Sequence, residues 1–164
     1  MTKSIEEIRD AIQAANDLNF SGPHDGIVPF LADKVETVHE PAFPNDKVSD
    51  GATLAKFLPI EREMMDAAMP DRRLDCTFTV EDGDKIVMKG SLNGTLIHDG
   101  SRLEKPVHVA WTIKDGEIVR FCVYVDAAEG MDGYRRQGEA FQSPTVKPIY
   151  DRMIAAMSGE NAAG

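Results

Sequence analysis

The chain has little of what marks several classes of protein. Among its 164 residues are only two cysteines, Cys76 and Cys122, and they form no C-x-x-C pair, which excludes a disulfide framework and a dithiol redox or zinc motif. Both lie within strand patterns and are expected to be small buried thiols. Positive charge is also scarce, with 18 Lys and Arg against 28 Asp and Glu. This excess of negative charge argues against nucleic acid and against an anionic membrane as partners.

Long apolar runs and local catalytic motifs are missing as well. No run approaches the roughly 20 residues of a membrane span, and the start, MTKSIEEIRD, lacks the apolar stretch of a secretory signal. We therefore expect a cytoplasmic protein. The sequence contains no G-x-S-x-G, P-loop or dinucleotide fingerprint. Its histidines lack the tight spacing of metal ligands, so neither a metal nor a cofactor is expected.

The N-terminal half is dominated by helical patterns. Ser4 and Glu7 form an S-x-x-E capping box before isoleucines at helical spacing, which predicts a helix ending near Phe20. Asp50 can cap a second helix, which Pro59 either kinks or divides into two segments. The shorter elements predicted here are a helical turn from Asp25 and a strand over 34–39, ended by Pro41 and Pro44.

From Leu74 onward the apolar period changes to two, as is typical of strands. The first predicted elements are a strand over 74–80, a three-residue loop at 81–83 and a long strand over 85–98. Gly90 and Gly94 would allow this long strand to bend. A polar loop over 99–104 and a hairpin over 107–126 follow. Glycines then punctuate a polar stretch, and Pro148 suits the first turn of a last helix. Helices followed by antiparallel strands indicate an α+β domain.

The final hairpin, VHVAWTIKDGEIVRFCVYVD, is the most informative segment, because its second apolar strand ends at a carboxylate, Asp126. A three-residue loop at 114–116 would give the even-numbered positions a common face, so that His108, Tyr124 and Asp126 lie together opposite an apolar face. A two-residue loop would instead place Asp126 with Trp111. The sequence leaves both registers open.

Three segments in order carry a resemblance to a known family. ADKVETVHEP at 32–41, DGDKIVMKGSLNGTL at 82–96 and IKDGEIVRFCVYVD at 113–126 resemble the SnoaL-like polyketide cyclases of the nuclear transport factor 2-like superfamily. The resemblance covers about residues 5–130. It implies an α+β fold in which a cone-shaped, curved antiparallel sheet wraps around N-terminal helices, with an apolar pocket between them. It also implies a homodimer.

The same resemblance implies acid–base chemistry on a bound polyketide without metal or cofactor. Asp126 matches the family's acid–base position, and His108 is the nearest candidate for an assisting histidine. Tyr124, beside Asp126 in the strand pattern, could donate to a developing enolate oxygen. The residues expected to contact the substrate are His39, Phe57, Met64, Met65, Trp111 and Phe121.

The three candidate catalytic side chains also have a structural explanation. Asp126 would cap the turn after the strand, His108 would be a surface or dimer residue, and Tyr124 an interface aromatic. The expected function is a cyclase or isomerase acting on an apolar polyketide-like or steroid-like molecule. The alternatives are a non-catalytic binder of a small apolar ligand and a structural dimerisation domain with a filled interior.

The whole chain, 1–164, is expected to form one domain. Its core would comprise residues 1–130, followed at 131–164 by an extension with a short helix and a frayed tail.

Overall fold

A computed structural model describes residues 2–17, 25–40, 47–125 and 127–158. The helices are α1 (Ile5–Asp17), α2 (Gly51–Ala68), α3 (Ala127–Phe141) and α4 (Lys147–Ser158), with a 3₁₀ helix at Asp25–Phe30. The strands are β1 (Leu31–Glu40), β2 (Lys47–Asp50), β3 (Arg73–Glu81), β4 (Lys85–Thr95), β5 (Arg102–Lys114) and β6 (Glu117–Tyr124). Within these ranges no helix is both long enough and apolar enough to cross a membrane.

The six strands form one mixed sheet in the order β2-β1-β6-β5-β4-β3. Strands β3 to β6 pair with their chain neighbours in antiparallel fashion, as predicted. In contrast, β1 pairs with β6 in parallel, placing Thr37 beside Phe121 and His39 beside Val123. Such a pairing joins segments about 80 residues apart, which local patterns do not reveal. The predicted antiparallel sheet is therefore corrected to a mixed one, and β2 was not predicted.

Helix α1 begins as its sequence indicates. The Ser4 backbone N–H donates to the Glu7 carboxylate at 2.7 Å, and the Glu7 N–H donates to the Ser4 hydroxyl at 3.2 Å. This reciprocal pair satisfies two amides that lack helical partners. Ile8 and Ile12 are completely buried, and α1 packs against β3. The predicted end near Phe20 lies outside the described residues.

Helix α2 is continuous through Pro59, so of the two alternatives considered for this proline, the division into two segments is wrong. Asp50 occupies the position before the helix, but its side chain makes no capping hydrogen bond. It pairs instead with Lys34 on the neighbouring strand. The apolar face of α2 buries Leu58, Met64 and Met65, and the helix packs over β1 and α4.

The β5–β6 hairpin combines features of both registers considered above. Its loop has two residues, Asp115 and Gly116, with φ angles of 52° and 78°, as in a type I′ turn. Of the two loop lengths considered, the two-residue loop is therefore correct and the three-residue loop is wrong. However, a bulge next to the turn shifts the pairing by one residue, and Thr112 then faces Arg120. Even-numbered positions therefore pair with even-numbered positions.

Strand and helix boundaries differ from prediction at three places that matter for the site. Strand β5 begins at Arg102 rather than Val107, so residues 102–104 belong to the sheet and not to a loop. Strand β4 ends at Thr95. Residues 127–141, predicted to be a polar stretch, form α3, which packs on β5. The predicted last helix is confirmed as α4, while Pro41, Pro44 and the tail after 158 lie outside the described residues.

Candidate functional site

A cavity of about 480 Å³ lies between the helices and the sheet. This volume falls in the roughly 300–1,000 Å³ range of small-molecule sites. Most lining side chains are apolar and come from α2, β4, β5, β6, α3 and α4. The interior is thus not filled by side chains, contrary to what the purely structural alternative predicts.

All eight predicted contact and catalytic residues within the described ranges line this cavity; these are His39, Phe57, Met64, Met65, His108, Trp111, Phe121 and Tyr124. Their roles remain predictions, because lining a cavity does not establish chemistry. The ninth, Asp126, lies outside the described residues.

His108 and Tyr124 are cross-strand neighbours on the even-numbered face of the final hairpin. Their rings stack with centroids 4.3 Å apart. The pKa of Tyr124 is raised, chiefly by its hydrogen bond with the Cys122 side chain and then by burial. Because Val107 and Val123 of the opposite face line the same cavity, the cavity reaches both faces of the hairpin near the end of β6.

Trp111 forms part of the apolar wall on the odd-numbered face. It is 1% exposed and packs edge-on against Phe121, with ring centroids 5.7 Å apart. Its indole N–H is buried and finds no hydrogen-bond acceptor among the residues that the structure describes. A buried donor of this kind would gain from an acceptor supplied by a ligand or a water molecule.

Lys105, the most unusual polar residue of the cavity, was not among the predicted site residues. Its side chain is only 7% exposed, and its ammonium nitrogen donates to Gln137 Oε1 at 2.5 Å. The same nitrogen lies 3.9 Å from the centre of the Tyr134 ring, a cation–π geometry. Its position in the sequence could have indicated burial, because Lys105 lies two residues before Val107 and so falls on the apolar face of β5. It was overlooked because the strand was predicted to begin at Val107.

The surroundings of Lys105 shift two pKa values in directions that fit a dry site. Burial lowers the pKa of Lys105 to about 8, although the charge of Glu61 acts in the opposite direction. Burial, and secondarily Glu61, raises the pKa of Tyr134 to about 12. The Tyr134 phenol therefore keeps its proton to a higher pH than an exposed tyrosine does.

Arg72 is the other buried cation that lines the cavity. Its guanidinium donates to the Asp66 carboxylate at 2.6 Å, so its charge is compensated by an ion pair. Across the described ranges, no group of three or more His, Cys, Asp or Glu side chains is placed to hold a metal ion.

Helices packed against a six-stranded sheet, with a mostly apolar cavity between them, give this chain a nuclear transport factor 2-like α+β fold. More specifically, the SnoaL-like domain matches residues 5–121, and the chain belongs to the SnoaL-like family.

Solved structures similar to this chain agree with the fold. An NTF2-like protein from Burkholderia thailandensis E264 is 18% identical with a TM-score of 0.58, over 81% of this chain and 98% of that one. A candidate SnoaL-like polyketide cyclase from Jannaschia sp. CCS1 is 15% identical with a TM-score of 0.56, over 81% and 96%. TerC, co-crystallised with polyporic acid, is 21% identical with a TM-score of 0.52, over 79% and 97%. No curated protein matches the chain. At these identities the likeness defines the fold alone.

Proposed function

We propose that this protein binds an apolar, ring-containing small molecule in the central cavity and catalyses its cyclisation or isomerisation by cofactor-free acid–base chemistry. The observation that carries the proposal is the cavity itself, which measures about 480 Å³ and is mostly apolar, with polar side chains among its lining residues. Polar groups against an apolar wall are the arrangement that proton transfer at carbon requires. Candidate substrates are polyketide-like or steroid-like ketones.

In this proposal Asp126 removes and returns a proton at the carbon next to a carbonyl group. It directly follows Val125, which is buried at the end of the final hairpin. Tyr124 and His108, stacked on each other at the cavity border, would position the substrate or donate to its oxygen. Trp111, Phe121, Phe57, Met64 and Met65 would hold its rings, and His39 would contact its polar edge. A homodimer remains part of the proposal.

A non-catalytic binding protein is the second candidate, favoured by the aliphatic side chains of the odd-numbered hairpin face. Val107, Val109 and Val123 of that face line the cavity without offering a proton donor or acceptor. Such a wall serves ligand binding equally well with or without turnover.

Deuterium exchange separates the two candidates. The α-protons of 2-tetralone, a bicyclic ketone, exchange in D₂O and can be followed by proton NMR. The wild-type protein should accelerate this exchange, and Asp126→Asn should remove the acceleration while changing 2-tetralone affinity less than about threefold, since the amide keeps the shape of the carboxyl group. Asp115→Asn, in the exposed turn at the other end of the same hairpin, is the matched control and should retain full activity.

Exchange by the wild type at the uncatalysed rate, with 2-tetralone bound, would favour the binding protein. Unchanged exchange in Asp126→Asn would contradict the assigned base. Polyporic acid, the molecule crystallised with TerC, provides a second ligand for binding measurements.

A further inference from the structure

We infer that Lys105 is an anchor for an anionic oxygen of the ligand, so that the cavity selects apolar ring compounds carrying a carboxylate or a similar ionised group. The inference rests on the proposed function in one respect, that the cavity is a small-molecule site. It adds the chemical class of the ligand and a binding residue that the family resemblance does not supply.

Lys105 and Arg72 are the two buried cationic side chains among the residues that the structure describes. Arg72 is paired with a carboxylate, whereas within the same ranges no carboxylate lies within 4 Å of Lys105. The Lys105 ammonium has three N–H donors, and its neighbours are a neutral amide oxygen and a tyrosine ring.

A buried ammonium is unfavourable unless an opposite charge and hydrogen bonds compensate it. Glu61 acts on Lys105 only at longer range, and burial outweighs its effect on the pKa of the lysine. An anionic ligand oxygen would form the missing ion pair in a site already shielded from water, where charge-assisted hydrogen bonds are strong.

Contacts from α3 hold the Lys105 side chain in place. Tyr134 and Gln137 are both on α3, and they fix the head of the side chain. The aliphatic part passes against Gly133 of the same helix, where an added Cβ would lie 2.6 Å from Lys105 Cγ. Glycine at this position therefore leaves the space that the lysine occupies. A single helix thus holds the charge at one place in the cavity.

The walls near Lys105 include Pro106, Val107 and Met65, which favour a flat or aliphatic body over a polar one. A ligand complementary to both features has an apolar ring system and one anionic oxygen.

Isothermal titration calorimetry at pH 7 with two matched probes tests the inference. Anthracene-2-carboxylate carries the anion, and anthracene-2-carboxamide has nearly the same shape without charge. Wild-type protein should bind the carboxylate about tenfold to a hundredfold more tightly than the amide, as expected for a charge-assisted hydrogen bond. Lys105→Met should remove that preference while changing amide affinity less than about threefold. Lys56→Met, at an exposed position on α2, is the control and should behave as wild type.

Gly133→Ala gives a second, independent perturbation, because it pushes on the lysine chain without removing the charge. It should weaken carboxylate binding selectively. Equal affinity of wild-type protein for the two probes, or a carboxylate preference that persists in Lys105→Met, would overturn the inference and leave the cavity as a neutral binding site. If wild-type protein bound neither probe, the result would refute both the cavity as a site for such ring compounds and Lys105 as its anchor.

Discussion

Replacing Lys105 by methionine should stabilise the ligand-free protein at neutral pH. Burial lowers the lysine pKa from 10.5 to about 8, and each pH unit corresponds to about 1.4 kcal/mol, so the charged form is disfavoured by about 3 kcal/mol. Methionine keeps most of the aliphatic chain and carries no charge. The substitution also leaves Gln137 Oε1 without its hydrogen-bond donor, and this loss reduces the gain in stability by about 1 kcal/mol. The expected net gain is about 2 kcal/mol.

The difference in stability between the wild type and the methionine variant should depend on pH. Between pH 8 and pH 10.5 the unfolded chain holds a proton on Lys105 that the folded protein has released, so the stability of the wild type rises with pH in this window. The methionine variant lacks that group. Its advantage should therefore be greatest at pH 7 and fall below about 1 kcal/mol at pH 10.

Urea unfolding of both proteins at pH 7 and pH 10, followed by circular dichroism, measures the difference directly. Lys56→Met serves as the control, because an exposed lysine on α2 should give the same difference at both pH values. A methionine variant at position 105 that is less stable than wild type at pH 7, or a difference equal at both pH values, would refute the reasoning about the buried charge.

Three further predictions follow from the same structure. Affinity for anthracene-2-carboxylate should fall as pH rises above about 8, because Lys105 loses its proton. Glu61 and Tyr134 are the titratable groups that face this lysine. Calorimetry from pH 7 to 10 measures the affinity, and a constant affinity over this range would contradict the prediction. Ser4→Ala should lower the free energy of unfolding by about 0.5–2 kcal/mol through loss of the helix cap, and an unchanged urea midpoint would argue against the cap. Cys76, whose pKa is raised by burial to about 11, should react with iodoacetamide at pH 8 much more slowly in the folded than in the unfolded protein, as mass spectrometry of the alkylated chain can show.

Local signals in the sequence predicted the elements that depend on nearby residues. The Ser4 and Glu7 capping box correctly marks the start of α1. Alternating apolar residues correctly mark β3 and the final hairpin. Even the cross-strand stacking of His108 on Tyr124 agrees with one of the two registers considered, although a bulge rather than a longer loop produces it.

Features that depend on tertiary contacts could not be predicted in this way. Helix α3 contains glycines that lower its intrinsic helix propensity by about 1 kcal/mol each, and the reason for Gly133 is visible only once the Lys105 chain is seen beside it. The parallel pairing of β1 with β6 likewise joins distant segments. The apolar residues and the histidines that line the cavity could therefore be named from the sequence. Lys105 could not, because its burial depends on α3.

The most direct test of the central claim, that the cavity between helices and sheet is the ligand site, uses Trp111, the only tryptophan in the chain. It is buried in the cavity wall, and its emission overlaps the absorption of an anthracene. Titration with anthracene-2-carboxylate should quench Trp111 fluorescence by energy transfer, saturating at one ligand per chain with the affinity measured by calorimetry. Binding detected by calorimetry without a change in Trp111 emission would place the ligand elsewhere and contradict the claim.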